Sequence, residues 1–269
     1  MAFDYERVAD ARSAVRLLDD ARGTAKILAG GQSLGPMLNL RLAQPSLLVD
    51  VRKVEELGEI REATEELVIG ACVTHAAIED GVVPDVTRGF LRTVAHGIAY
   101  RAIRNRGTIG GSLCHADPSA DWVTALFALD ANVLVLGPKG RREVPVQSFV
   151  RGPFSTGLDD AELVTAIRVP KLSPLARWSY YKFSRKPGEF AEAIAAIVVD
   201  PARAMYRVVL GATNGMPHIL ADAFDPSRGV DDQTLSRWVR EAGLHDDPYT
   251  RRVHTAALRR AVQQLRQEA

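Results

Sequence analysis

Two short stretches of the chain place adjacent glycines before a small hydroxyl residue, each near the end of an apolar run. The first is Ala29-Gly-Gly-Gln-Ser-Leu34 and the second is Thr108-Ile-Gly-Gly-Ser112. Glycine has no side chain, so the backbone N–H groups beside it can approach a negatively charged ligand closely. Each stretch is therefore typical of a diphosphate-binding loop. Because one such loop is enough for a mononucleotide, two of them in one chain indicate a single dinucleotide held from both sides.

Paired glycines also occur in tight turns after strands, and neither stretch is a G-x-G-x-x-G or P-loop motif. The context of the second stretch favours a ligand. Asp117-Pro118 has the signature of a helix start, since Asp can cap and Pro is favoured at the first helical position. The residues that follow carry an apolar face, namely Trp122, Val123, Leu126, Phe127 and Leu129. We predict that this loop leads into the N-terminus of a helix over 118–130.

At these residues the sequence resembles the FAD-binding medium subunit of the molybdenum hydroxylases, the family of carbon monoxide dehydrogenase, the bacterial N-heterocycle oxidoreductases and xanthine dehydrogenase. The resemblance continues in order over nearly the whole chain. It includes Leu40-Arg-Leu-Ala-Gln-Pro45, Ile69-Gly-Ala71, Arg104-Asn-Arg-Gly107, Phe149-x-x-Gly152, Thr156-x-Leu158, Glu162-Leu163 and the segment from Lys182 to Ala191.

The resemblance implies an α+β fold. Residues 1–172 would form a two-subdomain FAD-binding domain of the PCMH type, with subdomains at about 1–55 and 56–172. Residues 173–269 would form a small C-terminal flavoprotein domain with a three-stranded antiparallel sheet and helices. Pro170 and Ser173-Pro174 mark this boundary in the sequence, because proline removes backbone donors and interrupts strand pairing.

The resemblance also implies which residues contact FAD. The set that we expect is Ala29, Gly30, Gly31, Gln32, Ser33, Leu34, Thr108, Gly110, Gly111, Ser112, Asp117, Asp121, Leu163, Lys182 and Phe190. Backbone N–H groups of 29–33 and 108–112 would hold the diphosphate, with the side chains of Gln32, Ser33, Thr108 and Ser112 as additional donors. Ser112 stands where many relatives have asparagine, and Gln32 stands where some have histidine. Both keep a polar donor.

Four of these positions have separate roles in the family. Asp121 matches an acceptor for sugar or ribityl hydroxyls, and Leu163 matches a residue beside the adenine or flavin ring. Lys182 matches a cation near the flavin N1/O2 edge, where it would stabilise the reduced anion and raise the reduction potential. Phe190 matches an aromatic residue over the isoalloxazine, although a core phenylalanine explains it equally well. Neither loop has histidine or cysteine at the covalent attachment position, so non-covalent FAD is expected.

The sequence lacks the usual signatures of catalysis by protein side chains. The six histidines form no paired ligand spacing, and two cysteines are too few for a zinc site or an iron–sulfur cluster. This pattern is typical of a protein that binds and orients a cofactor. The resemblance implies a molybdenum cofactor on a large partner subunit, [2Fe-2S] clusters on a small one, and a dimer of heterotrimers. A stand-alone FAD oxidoreductase and a flavin-free scaffold subunit are the alternatives.

The composition is that of an ordinary soluble protein. The chain has 269 residues, a net charge of +1, 25% charged and 46% hydrophobic residues. Nothing in it favours nucleic acid. The first residues carry charges of both signs without an apolar region, and no apolar run approaches the roughly 20 residues of a membrane span. We therefore expect a cytoplasmic protein.

Hydrophobic periodicity predicts the elements that position these residues. Helices are expected at 5–22, 37–42, from residue 74, 87–103 and 118–130, and strands at 26–29, 47–51, 67–72, 132–136, 143–146 and 162–169. Beyond the boundary we expect strands at 178–183, 193–199 and 205–210, and helices at 231–242 and 249–267. The last helix carries an arginine-rich face, which is either solvated or a contact with a partner.

Overall fold

The first layer in the computed structural model is a three-stranded sheet that includes the first glycine stretch at its edge. The structure describes residues 3–221, 225, 228–244 and 247–267. The elements of this layer are β1 (Asp4–Arg7), α1 (Ala11–Ala21), β2 (Ala25–Leu28), α2 (Leu34–Asn39) and β3 (Leu47–Asp50). The strands lie in the order β1-β3-β2, and both pairs are parallel. The carboxyl end of β2 leads directly into the glycines, and such ends are the usual ligand-binding edge of a parallel sheet.

The predicted helix over 5–22 is wrong in its first part. Residues Asp4–Arg7 form the edge strand β1, and α1 begins only at Ala11. The Asp10 side chain accepts a hydrogen bond from Ser13 N and caps the helix there. Asp50 is completely buried and accepts hydrogen bonds from both Arg7 and Arg52. The bond from Arg7 joins β1 to β3, and the bond from Arg52 is local to the end of β3.

The second layer is a five-stranded antiparallel sheet in the order β4-β5-β10-β6-β7. Its strands are β4 (Ile60–Glu62), β5 (Glu66–Gly70), β6 (Asn132–Gly137), β7 (Gly140–Pro145) and β10 (Leu163–Pro170), and a 3-10 turn at Glu55–Leu57 precedes them. The helices beside it are α3 (His75–Glu79), α4 (Phe90–His96), α5 (Arg101–Arg104), α6 (Ile109–His115), α7 (Asp121–Ala128) and α8 (Val146–Phe149). A hairpin of β8 (Val150–Gly152) and β9 (Ser155–Thr156) completes the layer.

Two helix predictions in this layer are wrong in their bounds. The helix predicted over 87–103 is two helices, α4 and α5, since the chain turns at 97–100 with Ala99 in the left-handed region at φ 42°. The helix predicted over 118–130 begins at Asp121. Asp117 does not cap it, and instead accepts a hydrogen bond from Ser119 N in a local turn.

The C-terminal part is a four-stranded antiparallel sheet with two helices on one face. It contains β11 (Arg177–Phe183), β12 (Ala193–Asp200), β13 (Met205–Gly211), β14 (His218–Ala221), α9 (Asp232–Glu241) and α10 (Pro248–Gln267). The three predicted strands are present, and the short strand β14 was missed, so the expected three-stranded sheet is a four-stranded one. None of the helices among the described residues combines the length and apolar character that a membrane crossing needs.

Strand β12 joins this sheet to the rest of the molecule because it is buried on both faces. Alternate residues such as Ala195 and Ile197 pack with α9 and α10, whereas Ala196 and Val198 pack in the core that contains α4 and α7. This explains its continuous apolar sequence. The packing brings β11, the neighbour of β12, against α4, and side chains of β11 reach Asp121 at the N-terminus of α7.

Candidate functional site

The first glycine stretch contacts the segment that precedes the second one. Gly30 is buried, and a Cβ atom there would lie 2.1 Å from the carbonyl oxygen of Arg106 and 2.8 Å from Gly107 Cα. The next glycine, Gly31, has φ +72°, a conformation that side chains rarely adopt. Glycine is therefore required at Gly30 by close backbone contact and at Gly31 by backbone conformation.

The backbone of this stretch offers unused hydrogen-bond donors. Within the described residues, the N–H groups of 30–33 donate to no other group, and Ser33 does not cap α2. A side chain of the stretch also bonds its own backbone, since Gln32 Nε2 donates to Gly30 O at 3.1 Å. Successive free N–H groups in such a turn form an anion-binding concavity. The geometry agrees with the predicted diphosphate role of this stretch.

The second stretch differs from the expected loop because it is the first turn of α6. Thr108 is the N-cap and its hydroxyl accepts from Gly111 N at 3.1 Å. The N–H groups of Ile109, Gly110 and Ser112 donate to the carbonyls of Val73, Ala71 and Thr108. The backbone donors that we expected at 109–112 are therefore already used inside the protein. The groups left for a ligand are the hydroxyls of Thr108 and Ser112.

The glycines of the second stretch allow two close contacts. A Cβ at Gly110 would lie 2.5 Å from Ala71 Cβ, so glycine lets α6 pack against the end of β5. A Cβ at Gly111 would lie 2.8 Å from Thr108 Oγ1 and 3.7 Å from Ala29 Cβ. The two glycine stretches therefore face each other, as two loops that hold one dinucleotide must.

A buried ion pair lies at the N-terminus of α7. Lys182 Nζ on β11 donates to Asp121 Oδ2 at 2.8 Å, and Tyr180 OH donates to Asp121 Oδ1 at 2.8 Å. Only 6% of the Asp121 side chain and 13% of the Lys182 side chain are exposed. Burial raises the pKa of Asp121, and the Lys182 ammonium opposes that effect. Burial also raises the pKa of Tyr180 well above its usual value.

Tyr180 was not among the predicted residues. Its position two residues before Lys182 on a strand puts both side chains on one face of β11. The alternation of side chains along a strand therefore indicates that Tyr180 lies on the same side of β11 as Lys182, near Asp121.

The remaining predicted residues are more dispersed. Leu34 is the first residue of α2, and Asp117 lies in the turn between α6 and α7. Leu163 is buried in the core of the first layer with Leu136, so its contact with a cofactor ring stays a prediction. Phe190 is 68% exposed, which excludes its interpretation as a core residue.

A buried histidine connects α3 to α7 beneath the second stretch. Trp122 Nε1 donates to His75 Nδ1 at 3.0 Å, which leaves the proton of neutral His75 on Nε2. His75 is 5% exposed, and a Cβ at Gly107 would lie 2.7 Å from its Nε2. Burial, assisted by Arg104, lowers the pKa of His75 to about 4.

This pKa makes stability depend on pH. The unfolded chain binds a proton on His75 near pH 6.5 and the native state only near pH 4, so native stability falls as pH drops through that interval. We expect a His75→Gln variant to lose about 2.5 kcal/mol less stability than wild type when the pH falls from about 7 to about 4.5. Urea unfolding at both pH values measures it. Equal losses in both proteins would show that His75 does not carry this proton linkage.

Comparison with known proteins agrees with the geometry. Residues 1–172 match the family model described as the FAD binding domain in molybdopterin dehydrogenase. The chain is 39% identical over 198 residues to the 6-hydroxypseudooxynicotine dehydrogenase complex subunit alpha of Paenarthrobacter nicotinovorans, covering 74% of this chain and 67% of that one. It is 36% identical over 219 residues to the carbon monoxide dehydrogenase medium chain of Hydrogenophaga pseudoflava, covering 81% and 76%.

The likeness to solved structures extends over the full length. A chain of reconstituted CO dehydrogenase from Oligotropha carboxidovorans superimposes with a TM-score of 0.89 and 32% identity, covering 100% of this chain and 99% of that chain. The expected α+β fold is thereby confirmed. The N–H groups of 30–33, which donate to no group among the described residues, suit an anionic ligand such as a dinucleotide diphosphate. The chain therefore belongs to the family of FAD-binding medium subunits of the molybdenum hydroxylases.

Proposed function

We propose that the chain binds one FAD non-covalently between its two glycine stretches and relays electrons from a partner's [2Fe-2S] clusters to an external acceptor. The observation that carries this proposal is the row of N–H groups at 30–33 that donate to no group among the described residues, in a stretch that contacts the second one at Gly111. FAD, when bound, supplies a two-electron store that accepts electrons singly. The chain's own residues supply binding, orientation and charge.

Residues of the two stretches would hold the diphosphate, and the ion pair would lie beside the flavin or its ribityl chain. Lys182 brings a positive charge into a largely buried site, where charge interactions are stronger than in water. The Asp121 carboxylate keeps this ammonium in place and retains acceptor capacity for a hydroxyl. Phe190, exposed in the segment that follows Lys182, is available to cover the isoalloxazine.

We also propose how the chain is assembled. A large subunit with the molybdenum cofactor would oxidise the substrate, and a small iron–sulfur subunit would deliver the electrons, in a cytoplasmic dimer of heterotrimers. The matched relatives support this scheme, since they are named as a complex subunit and as medium chains. We further propose that the chain divides into two domains at 172/173. This division is supported by the sheet topology, since β10 and β11 lie in different sheets.

Affinity purification of the tagged chain from its own cells tests this assembly. The expected result is co-purification of two further proteins, with molybdenum and iron in the eluate. Substrate reduction of the bound flavin in that complex would then be visible as bleaching. A flavin-loaded chain that purifies alone and turns over by itself would favour the stand-alone oxidoreductase instead.

Ser112 provides a test of the diphosphate site that does not disturb the fold. Its hydroxyl has no hydrogen-bond partner among the described residues, so Ser112→Ala leaves stability unchanged. Loss of one hydrogen bond to a charged group should weaken FAD binding roughly tenfold, or about 1.5 kcal/mol. Titration of the apo-protein with FAD measures this change in affinity. The control is Ser148→Ala, a substitution at an exposed helical residue. Unchanged affinity in Ser112→Ala would remove this hydroxyl from the site.

A further inference from the structure

The turn at 97–100, between α4 and α5, is held by a buried arginine. Arg104 is only 8% exposed, and its Nη1 donates to the carbonyl oxygens of Ile98 and Ala99 at 2.9 and 3.0 Å. Its Nε and Nη2 donate to the Glu79 carboxylate at 2.7 and 3.0 Å. Ala99 has a left-handed backbone, which costs a non-glycine residue about 1–2 kcal/mol. The two bonds to the carbonyls stabilise that conformation.

The same turn contacts the proposed flavin site at two points. The carbonyl oxygen of Gly97 accepts a hydrogen bond from Lys182 Nζ at 3.1 Å. The ring of Tyr100 lies against Gly188, where a Cβ would be 2.7 Å from the ring and φ is +86°. The turn therefore fixes both the ammonium of Lys182 and the backbone of the segment after β11.

We propose that Arg104, oriented by Glu79, is a positioning residue for Lys182. It holds the 97–100 turn so that the Gly97 carbonyl and the Asp121 carboxylate together fix the ammonium beside the flavin. Through the turn, Arg104 sets where the positive charge lies and hence how strongly it favours the reduced flavin. This inference rests on the proposed function, because it assigns the role of Lys182 to FAD.

Arginine suits this position because its planar fork presents donors in two directions at once. Nε and Nη2 bind the carboxylate of Glu79, and Nη1 binds the carbonyl oxygens of the turn. Arg101 provides a matched comparison. It donates to the same Glu79 and to Asp80 but makes no hydrogen bond to the turn carbonyls, and its side chain is 48% exposed.

The first test uses the full-length chain without FAD and measures acylation of Lys182 by acetic anhydride, quantified by mass spectrometry. Arg104→Met should speed the labelling of Lys182 about fivefold, which is the factor that one hydrogen bond of about 1 kcal/mol represents. Arg101→Met should leave the rate at the wild-type value. Equal rates in Arg104→Met and wild type would overturn the proposal. If Arg104→Met fails to fold, Arg104→Lys is used, because it keeps the charge near Glu79 and lacks the fork.

The second test uses the FAD-loaded chain and measures the flavin midpoint potential. Arg104→Met should move the potential at least half of the way to that of Lys182→Met, whereas Arg101→Met should not move it. In the Lys182→Met background, Arg104→Met should cause no further shift. A shift of the same size in both backgrounds would show that Arg104 does not act through Lys182. A chain that passes the labelling test but binds no FAD would refute the proposed function and leave the positioning role of Arg104 intact.

Discussion

Replacing Gly30 with alanine is expected to abolish useful FAD binding. The added Cβ would lie 2.1 Å from the carbonyl oxygen of Arg106, and backbone atoms cannot move aside without separating the two glycine stretches. Overpacking of this kind costs about 3 kcal/mol, which corresponds to a loss of roughly a hundredfold or more in FAD affinity. Flavin content after purification and titration of the apo-protein with FAD both measure the effect.

A glycine remote from the stretches gives the control for this experiment. Gly58 has an ordinary backbone conformation, and a Cβ there would meet only Glu55 O at 3.5 Å. Gly58→Ala should bind FAD as wild type does. Circular dichroism and a thermal melt establish that Gly30→Ala is folded. A folded Gly30→Ala protein that retains stoichiometric FAD would show that the contact between the two stretches is not needed for the cofactor.

Replacing Lys182 with methionine should lower the flavin potential while FAD stays bound. At the proposed position the ammonium would stabilise the reduced flavin more than the oxidised one, so its loss is expected to lower the midpoint potential by roughly 30–60 mV, or about 1.4–2.8 kcal/mol for two electrons. Potentiometric titration of the bound flavin gives this value. Lys186→Met is the control for the loss of one positive charge. Lys186 is close in sequence to Lys182, and no ion pair is found for it among the described residues. A wild-type potential in Lys182→Met would contradict the N1/O2 assignment.

The same substitution should make stability depend on pH in a defined direction. Without Lys182, burial raises the pKa of Asp121 against only the hydrogen bonds from Tyr180 and from a backbone N–H, so the native state holds a proton that the unfolded chain has released. Stability of the variant then falls as pH rises from the unfolded pKa near 4 toward the raised native pKa. At neutral pH, breaking the buried pair costs about 3 kcal/mol.

An Asp121→Asn/Lys182→Met double variant carries neither charge and should lose most of that pH dependence. Denaturant unfolding of the single and double variants at about pH 5 and about pH 8 measures it. A Lys182→Met protein that grows more stable over the same interval would mean that Asp121 is solvated in the native state.

Much of the fold follows from the local pattern of the sequence. Strands β5, β6, β7 and β10 of the second layer, the cap at Thr74 and both C-terminal helices lie close to where periodicity and capping residues place them, because their apolar faces are complete within one segment. The periodicity does not predict β4, β8 and β9, because strands of two or three residues are too short to show an alternating pattern. Periodicity does not predict strand β1, because its side chains are all exposed at a sheet edge and therefore show no alternating pattern. The helix predicted over 87–103 is too long because Ala99 breaks it with a left-handed backbone. The Arg104 side chain that stabilises this turn is itself held by Glu79, 25 residues earlier in the chain, and a local pattern does not reveal that contact.

The sequence indicates which residues form the candidate site, but it does not show the contacts that they make inside the protein. The glycine pairs indicated a diphosphate, yet the sequence did not show that the N–H groups of 109–112 are used by α6 and its neighbours, since that depends on β5 lying behind the helix. Likewise, the family resemblance gave Asp121 and Lys182 separate roles. Their direct ion pair depends on the packing of β11 against α7, which sequence spacing cannot reveal.

The presence of FAD in the purified chain tests the central proposal most directly. The visible spectrum is recorded before and after acid precipitation, and the released compound is identified by chromatography. The expected result is the two visible bands of a flavin, complete release by acid, and FAD as the released compound at about one per chain. A colourless protein that also fails to take up added FAD would contradict the proposed function and favour a scaffold role for this chain.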